Sequence, residues 1–278
     1  MKRALLVLAA YLIVAVMLLL PPVLVFTEAL RHGLGAALRS LADPDARAAL
    51  WLTLKMTVAA VALNSVGGVL AAWTVTKFRF PGRGALLVLI ELPLSVSPVV
   101  AGLVWLLLFG AQGWWGAWLD RVGYRVVFAP PGILLATLFV TFPYVARTLV
   151  PLLQHQGRDA EEAAALLGAS LWQILSRVTL PGARWALLSG VLLTTARALG
   201  EFGAVSVVSG HIPGLTETMP LHIETLYNGY QSVAAFSMAA LLALMAMATV
   251  ALRGLLERTA DTASRAARTP SSPTGHAA

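Results

Sequence analysis

With 58% hydrophobic and only 12% charged residues, this 278-residue chain lies outside the range of soluble domains, which carry about 25% charge. Its net charge of +7 invites a nucleic-acid reading, but the cations are distributed around apolar blocks, and no nucleic-acid partner is expected. The absence of cysteine excludes disulfides, thiolate catalysis and cysteine-bound metal.

Apolar blocks of about 20 residues, the length a helix needs to cross the hydrocarbon core, recur along the chain. Six are legible, at approximately 4–26, 52–76, 85–110, 131–150, 183–208 and 232–254. Their periodicity is helical or absent and never alternates, which excludes a β-barrel. The expected fold is all-α: a polytopic integral membrane protein of six transmembrane helices in one domain over 1–257.

The first block follows Lys2 and Arg3, the charge pattern of a signal peptide. Its apolar run continues through Pro21 and Pro22 to Phe26 without a small-x-small cleavage site, so a retained helix is expected. In the second, Met56 to Thr76 is free of charge, and Lys55 at its start can snorkel to the interface. A short basic hairpin at 77–84 leads to the third block. There Glu91 is followed by Pro93, Ser95, Ser97 and Pro98. The prolines interrupt the helical ladder, and the serine hydroxyls can satisfy freed backbone groups or line a cavity. Trp114, Trp115, Trp118 and Tyr124 just beyond it read as an aromatic belt. Arg147 can snorkel at the end of the fourth block.

The next segment, about 154–182, is a polar island. Asp159 and Glu162 have the spacing of a helix-opening box, Gly168 supplies the positive φ that closes a short helix, Ser170 can cap a second, and Pro181 ends it. Two short helices at an angle are expected, with Ala163 and Ala164 forming a smooth face.

In the fifth block Arg197 stands about 20 Å in, near mid-membrane, with Glu201 one turn later and Gly200 and Gly203 beside it. The pair is either a polar seam of a translocation route or an ion pair that holds helices together. Ser232 to Leu252 is charge-free. Residues 258–278 read as a disordered cytoplasmic tail. Positive charge gathers on the segments that include Lys2, Lys77, Arg158, Arg184 and Arg253. This places both termini and the polar island in the cytoplasm. No phosphate-binding Gly-rich loop occurs, so ATP must be bound elsewhere. His155, His211, His222 and His276 are scattered without metal-ligand spacing; they read as loop or interfacial residues, and no metal site is expected.

The run Glu162-Ala163-Ala164, Gly168, Val178, Leu180-Pro181 resembles the EAA loop of permease subunits of ATP-driven, binding-protein-dependent importers. Val178 stands where Ile is usual. Residues 91–104 resemble the third-span signature of sulfate-type permeases, with Glu91 in place of aspartate. Residues 195–212 and 218–223 resemble the fifth-span and outer-loop signatures. The similarity spans roughly 4–257 and is greatest to the W-type sulfate/thiosulfate permeases. It implies the type I importer (MetI-like) permease fold in a bacterial inner membrane. A homologous T-type permease, two ATPase subunits and a periplasmic sulfate/thiosulfate-binding protein are the implied partners. The chain itself would be no enzyme and hold no cofactor, with ATP and Mg on the ATPase.

The resemblance assigns Glu162, Ala163, Ala164, Gly168, Leu180 and Pro181 to ATPase coupling. The pathway candidates are Arg197, Gly200, Glu201, Gly203, Ser95 and Ser97. A molybdate or tungstate importer is the alternative within this class. A proton-coupled secondary anion transporter would use Arg197, Glu201 and Glu91 as relays, but has no use for an ATPase dock.

Overall fold

The computed structural model describes residues 2–268, and every regular element among them is helical. Four helices are long and apolar enough to cross a membrane, and six spans result if each of two bent pairs is counted as one. The first, α1 (Lys2–Leu30), runs unbroken through Pro21 and Pro22 and lies along the last, α14 (Ser232–Arg268). Its large side chains, such as Leu8 and Leu12, stay exposed, as lipid-facing residues must.

After the short α2 (Leu34–Leu41), α3 (Pro44–Lys77) begins well before the expected position 52. Asp43 accepts a hydrogen bond from the Asp45 N–H, and Pro44 sits where its missing N–H costs nothing. The buried face of α3 is small or polar: Ala46, Ala49, Thr53, Thr57, Ala60, Asn64, Gly68 and Ala72. Lipid is as apolar as a leucine side chain, so close packing and interhelical hydrogen bonds must hold such helices together. Asn64 accordingly donates to Thr141 Oγ1 (2.8 Å) and Leu138 O (3.2 Å) across the bundle. A Cβ on Gly68 would stand 2.8 Å from that of Val145.

The third block is not one straight span. It divides into α4 (Arg83–Ser95) and α5 (Pro98–Phe109), bent by 107°. Pro98 bars the residue before it from helical geometry, and both Val96 and Ser97 are extended. Of the two roles open to the serine hydroxyls, backbone repair is not seen: those of Ser95 and Ser97 make no hydrogen bond among the described residues, and both residues are exposed. Next comes α6 (Gly116–Val122), with Trp114, Trp115, Trp118 and Tyr124 all exposed on or beside it. The fourth span is continuous over Pro130–His155, comprising α7 (Pro130–Thr141) and α8 (Pro143–His155).

The polar island folds as α9 (Asp159–Leu166) and α10 (Leu171–Ile174). From Leu171 the helix runs on, through a π-turn at Leu175–Thr179, into α11 (Leu180–Leu199). Pro181 therefore does not end a second short helix. The wider π-turn just before it relieves the clash between a proline ring and the preceding turn. The fifth block then breaks at Gly200, and α12 (Gly203–Ser209) leaves at 53°. α13 (Met219–Asn228) lies at the opposite end of the bundle from α9, where the Met219 N–H donates to Thr53 Oγ1.

Among the described residues, two of the four buried apolar clusters join the spans around the breaks and the hook. Ile133, Ala136 and Val140 of α7 meet Ala204, Val205 and Val208 of α12, whereas Ala72, Val145, Leu149 and Ala183 join α3, α8 and α11. The tail boundary expected at 258 falls inside α14, which stays helical to Arg268. Alanines sustain this turn-free stretch, and Pro270 follows shortly. The rest of the expected tail, with His276, lies outside the described residues.

Candidate functional site

The EAA segment projects from one end of the bundle, and its two helices are held by different means. The expected opening box at Asp159 is absent: Arg158 is the N-cap of α9, without a side-chain capping bond. The N-terminal acids Asp159, Glu161 and Glu162 instead favour the helix through its dipole. Gly168 has φ +83°, the left-handed geometry that turns the chain, and the Ala169 N–H returns to Ala164 O. Ser170 then caps α10 in a full reciprocal box with Gln173.

Glu162, Ala163, Gly168 and Pro181 are exposed, whereas Ala164 and Leu180 are half-buried. Glu162 forms no ion pair or side-chain hydrogen bond among the described residues. Leu166, Leu167 and Trp172 are 90%, 89% and 70% exposed, so an apolar ledge surrounds the acidic end of α9. A notch of about 160 Å³ opens beside it, lined by Trp73, Lys77, Phe78, Glu161, Glu162 and Leu171 among others.

Glu161, adjacent to the motif, is engaged inward. Its carboxylate pairs with Lys77 Nζ (3.1 Å) and accepts from Thr179 Oγ1 (2.5 Å). Sequence reasoning passed over it, because nothing in one sequence tells which of two adjacent glutamates faces in. Helical phase relative to α3 decides that.

The pathway candidates gather where the two broken helices meet. Gly203 backs onto Pro98, where an imagined Cβ would stand 3.0 Å from the proline Cβ, and one on Gly102 would stand 2.7 Å from Ala204 O. Ser97 is therefore brought to the α11–α12 break, and Ser95 lies on the exposed elbow of α4 beside it. Gly200 is exposed with open space around it, so it serves the bend rather than a close approach.

Arg197 and Glu201 do form an ion pair, at 2.6 Å. Glu201 is 2% exposed, and its second oxygen accepts from the Ala204 N–H, capping α12. The Arg197 side chain remains 31% exposed. The pair is not midway along its helix, because that helix starts at Leu171; Arg197 stands two residues from its end. Glu201 shares a small cavity with Thr53, Thr57, Ile133 and Thr137, near the opposite end of the bundle from α9. Glu91 is exposed and makes no ion pair or side-chain hydrogen bond among the described residues.

His222 also differs from expectation. It is buried, and its Nδ1 lies 3.0 Å from Glu217 Oε2, while Thr225 donates to the other oxygen. His211 is exposed, in a loop with φ +52°. Among the described residues no cluster of metal-ligating side chains occurs.

Because a Cβ on Gly102 would meet both the Ala204 carbonyl and the stiff, β-branched side chain of Val207, Gly102→Val is expected to wedge α5 from α12. Overpacking of this kind costs about 1–3 kcal/mol. It should lower the thermal midpoint of the detergent-purified protein, whereas Gly84→Val, in open space, should not.

A bundle of apolar helices with two broken spans packed break to break, and an exposed two-helix hook at one end, defines a polytopic membrane transport subunit. Residues 64–261 match the family described as binding-protein-dependent transport system inner membrane component, and the chain belongs to that family. It is 54% identical over 231 residues to the sulfate transport system permease protein CysW of Escherichia coli K12, covering 83% of this chain and 79% of that one. Identity to the CysW protein of Synechocystis sp. is 48%, covering 87% of each. Identity to the Escherichia coli K12 CysT permease is 39%, covering 73% of each. The fold is similar to that of a chain in the crystal structure of a bacterial alginate ABC transporter in complex with its pentasaccharide-bound periplasmic protein. There the TM-score is 0.73 at 16% identity, over 93% of each chain.

Proposed function

We propose that this chain is the W-type membrane subunit of an ATP-driven sulfate/thiosulfate importer. It would form the translocation path with a homologous T-type permease, and both termini would face the cytoplasm. Two ATPase subunits dock on the EAA segments, and a periplasmic binding protein delivers the anion. The observation that carries this reading is the hook itself: an acidic, apolar-rimmed helix pair, exposed at its tip and continuous with a membrane span through α11. The similarity to sulfate permeases supports the choice of anion. A carrier driven by protons would gain nothing from such a hook.

In this mechanism ATP closes the ATPase dimer and brings the two hooks together. The spans rock from inward-facing to outward-facing, sulfate enters from its binding protein, and hydrolysis resets the complex. The break-to-break seam of α4–α5 and α11–α12, with Ser95, Ser97, Gly200, Glu201 and Gly203, forms part of the route. Arg197 offers a positive charge there that Glu201 partly neutralises, so the anion is held weakly enough to leave.

Proteoliposomes containing both permeases and the ATPase should accumulate labelled sulfate only with internal ATP and external binding protein. Accumulation without the ATPase would instead mark a secondary carrier. Competition by molybdate that exceeds competition by thiosulfate would move the protein to the molybdate class.

A further inference from the structure

The carboxylate of Glu161 is placed like a strut between three helices. Lys77 is the last residue of α3, and Glu161 lies in the first turn of α9, so each charge also meets the favourable end of its own helix dipole. Thr179, 4% exposed, closes the π-turn that opens α11. One oxygen of Glu161 therefore holds the end of the second span and the other holds the root of the fifth. The side chains of Lys77 and Glu161 are 6% and 13% exposed, so water does little to screen the pair.

Three further bonds reinforce this corner. Lys77 Nζ donates to Gly157 O, Arg158 Nη2 donates to Thr76 O (3.4 Å), and Gln156 Nε2 donates to Gly182 O (3.0 Å). In contrast, α9 buries no residue of its own. A helix without a buried face has little packing through which to push. Beyond its contacts with α10 and the π-turn, its mechanical connection to the spans runs through these polar contacts, with Glu161 at their centre.

We propose that Glu161 is the positioning residue that transmits displacement of the EAA helix to α3 and α11, while the exposed Glu162 serves contact with the partner. The proposal rests on the docking function given above. It separates two roles: Glu162 governs whether a motor protein binds, and Glu161 governs whether binding moves the spans.

The test uses the reconstituted complex of both permeases, ATPase and binding protein. Glu161→Gln and Lys77→Met should leave the ATPase subunits co-purifying and hydrolysing ATP, while sulfate uptake per ATP falls about tenfold, within the usual range of coupling energies. Lys77→Arg should retain coupling. Thr179→Val removes a single arm and should give an intermediate loss, and it carries the test should Glu161→Gln fail to fold.

The chain has no cysteine, so it can be spin-labelled at the exposed positions Ala160 and Arg79 before it is assembled with its partners. Their separation should stay narrow through the ATP cycle in the parent complex and broaden with nucleotide in Glu161→Gln. Unchanged uptake per ATP in Glu161→Gln would overturn the proposal. So would a loss of uptake matched by loss of the ATPase from the complex, which would make Glu161 a docking contact. Failure of the parent complex to retain ATPase would refute the docking function itself.

Discussion

Glu162→Lys is expected to abolish ATP-driven sulfate uptake while leaving the membrane fold intact. The side chain is exposed and forms no ion pair or hydrogen bond among the described residues, so no internal bond is lost. The reversed charge opposes the α9 dipole, but that effect is only about 0.3–1 kcal/mol at an exposed helix end. A membrane bundle held by α3, α8 and α11 does not depend on it. The purified variant should therefore elute and melt like the parent, yet fail to retain the ATPase. A reversed charge in a docked interface juxtaposes like charges, or strands a cation against an apolar rim. Undiminished uptake by this variant would refute the docking role of the segment.

The second large effect concerns Glu201. Glu201→Ala removes the cap from the Ala204 N–H and leaves Arg197 without its counter-ion at the junction of the broken helices. A lost cap costs about 1 kcal/mol, and breaking a buried pair costs about 3–5, reduced here because Arg197 is partly exposed. Glu201→Gln keeps an acceptor for the N–H and should fall between Ala and the parent. The double variant Arg197→Leu with Glu201→Gln removes the stranded charge and should recover most of the thermal midpoint. If Arg197 serves the proposed route, uptake should nevertheless stay low, because that route has lost its positive charge. Recovery of both stability and uptake would make the pair structural only.

Much of this architecture was legible in the residues. Apolar blocks located the spans, since few charges can enter hydrocarbon. The EAA pattern, Gly168 and Ser170 described the hook's bend and second cap correctly, because φ > 0 at glycine and a Ser–Gln box are local effects. The spacing of Arg197 and Glu201 allowed the ion pair that the structure contains, one of the two readings open to it. Local rules misled where a longer-range contact prevailed. Pro181 looked terminal, but the π-turn carries the helix past it. Ser95 and Ser97 could have been backbone partners or cavity-lining residues, and they are exposed at the elbow. His222 looked like a loop or interfacial residue, and is buried against Glu217.

The amino-acid pattern alone settles which segments are apolar enough for lipid, where proline and glycine interrupt them, and which motif is displayed between the fourth and fifth. Those outcomes depend on transfer energy and backbone sterics within a few residues. The tertiary structure alone decides that Pro98 abuts Gly203, that Glu201 is sealed beneath Arg197, and that Glu161 rather than Glu162 turns inward to Lys77 and Thr179. These depend on the rotation and depth of one helix against another. Small residues set that fit through close approach, and no pattern along a single strand of sequence encodes it.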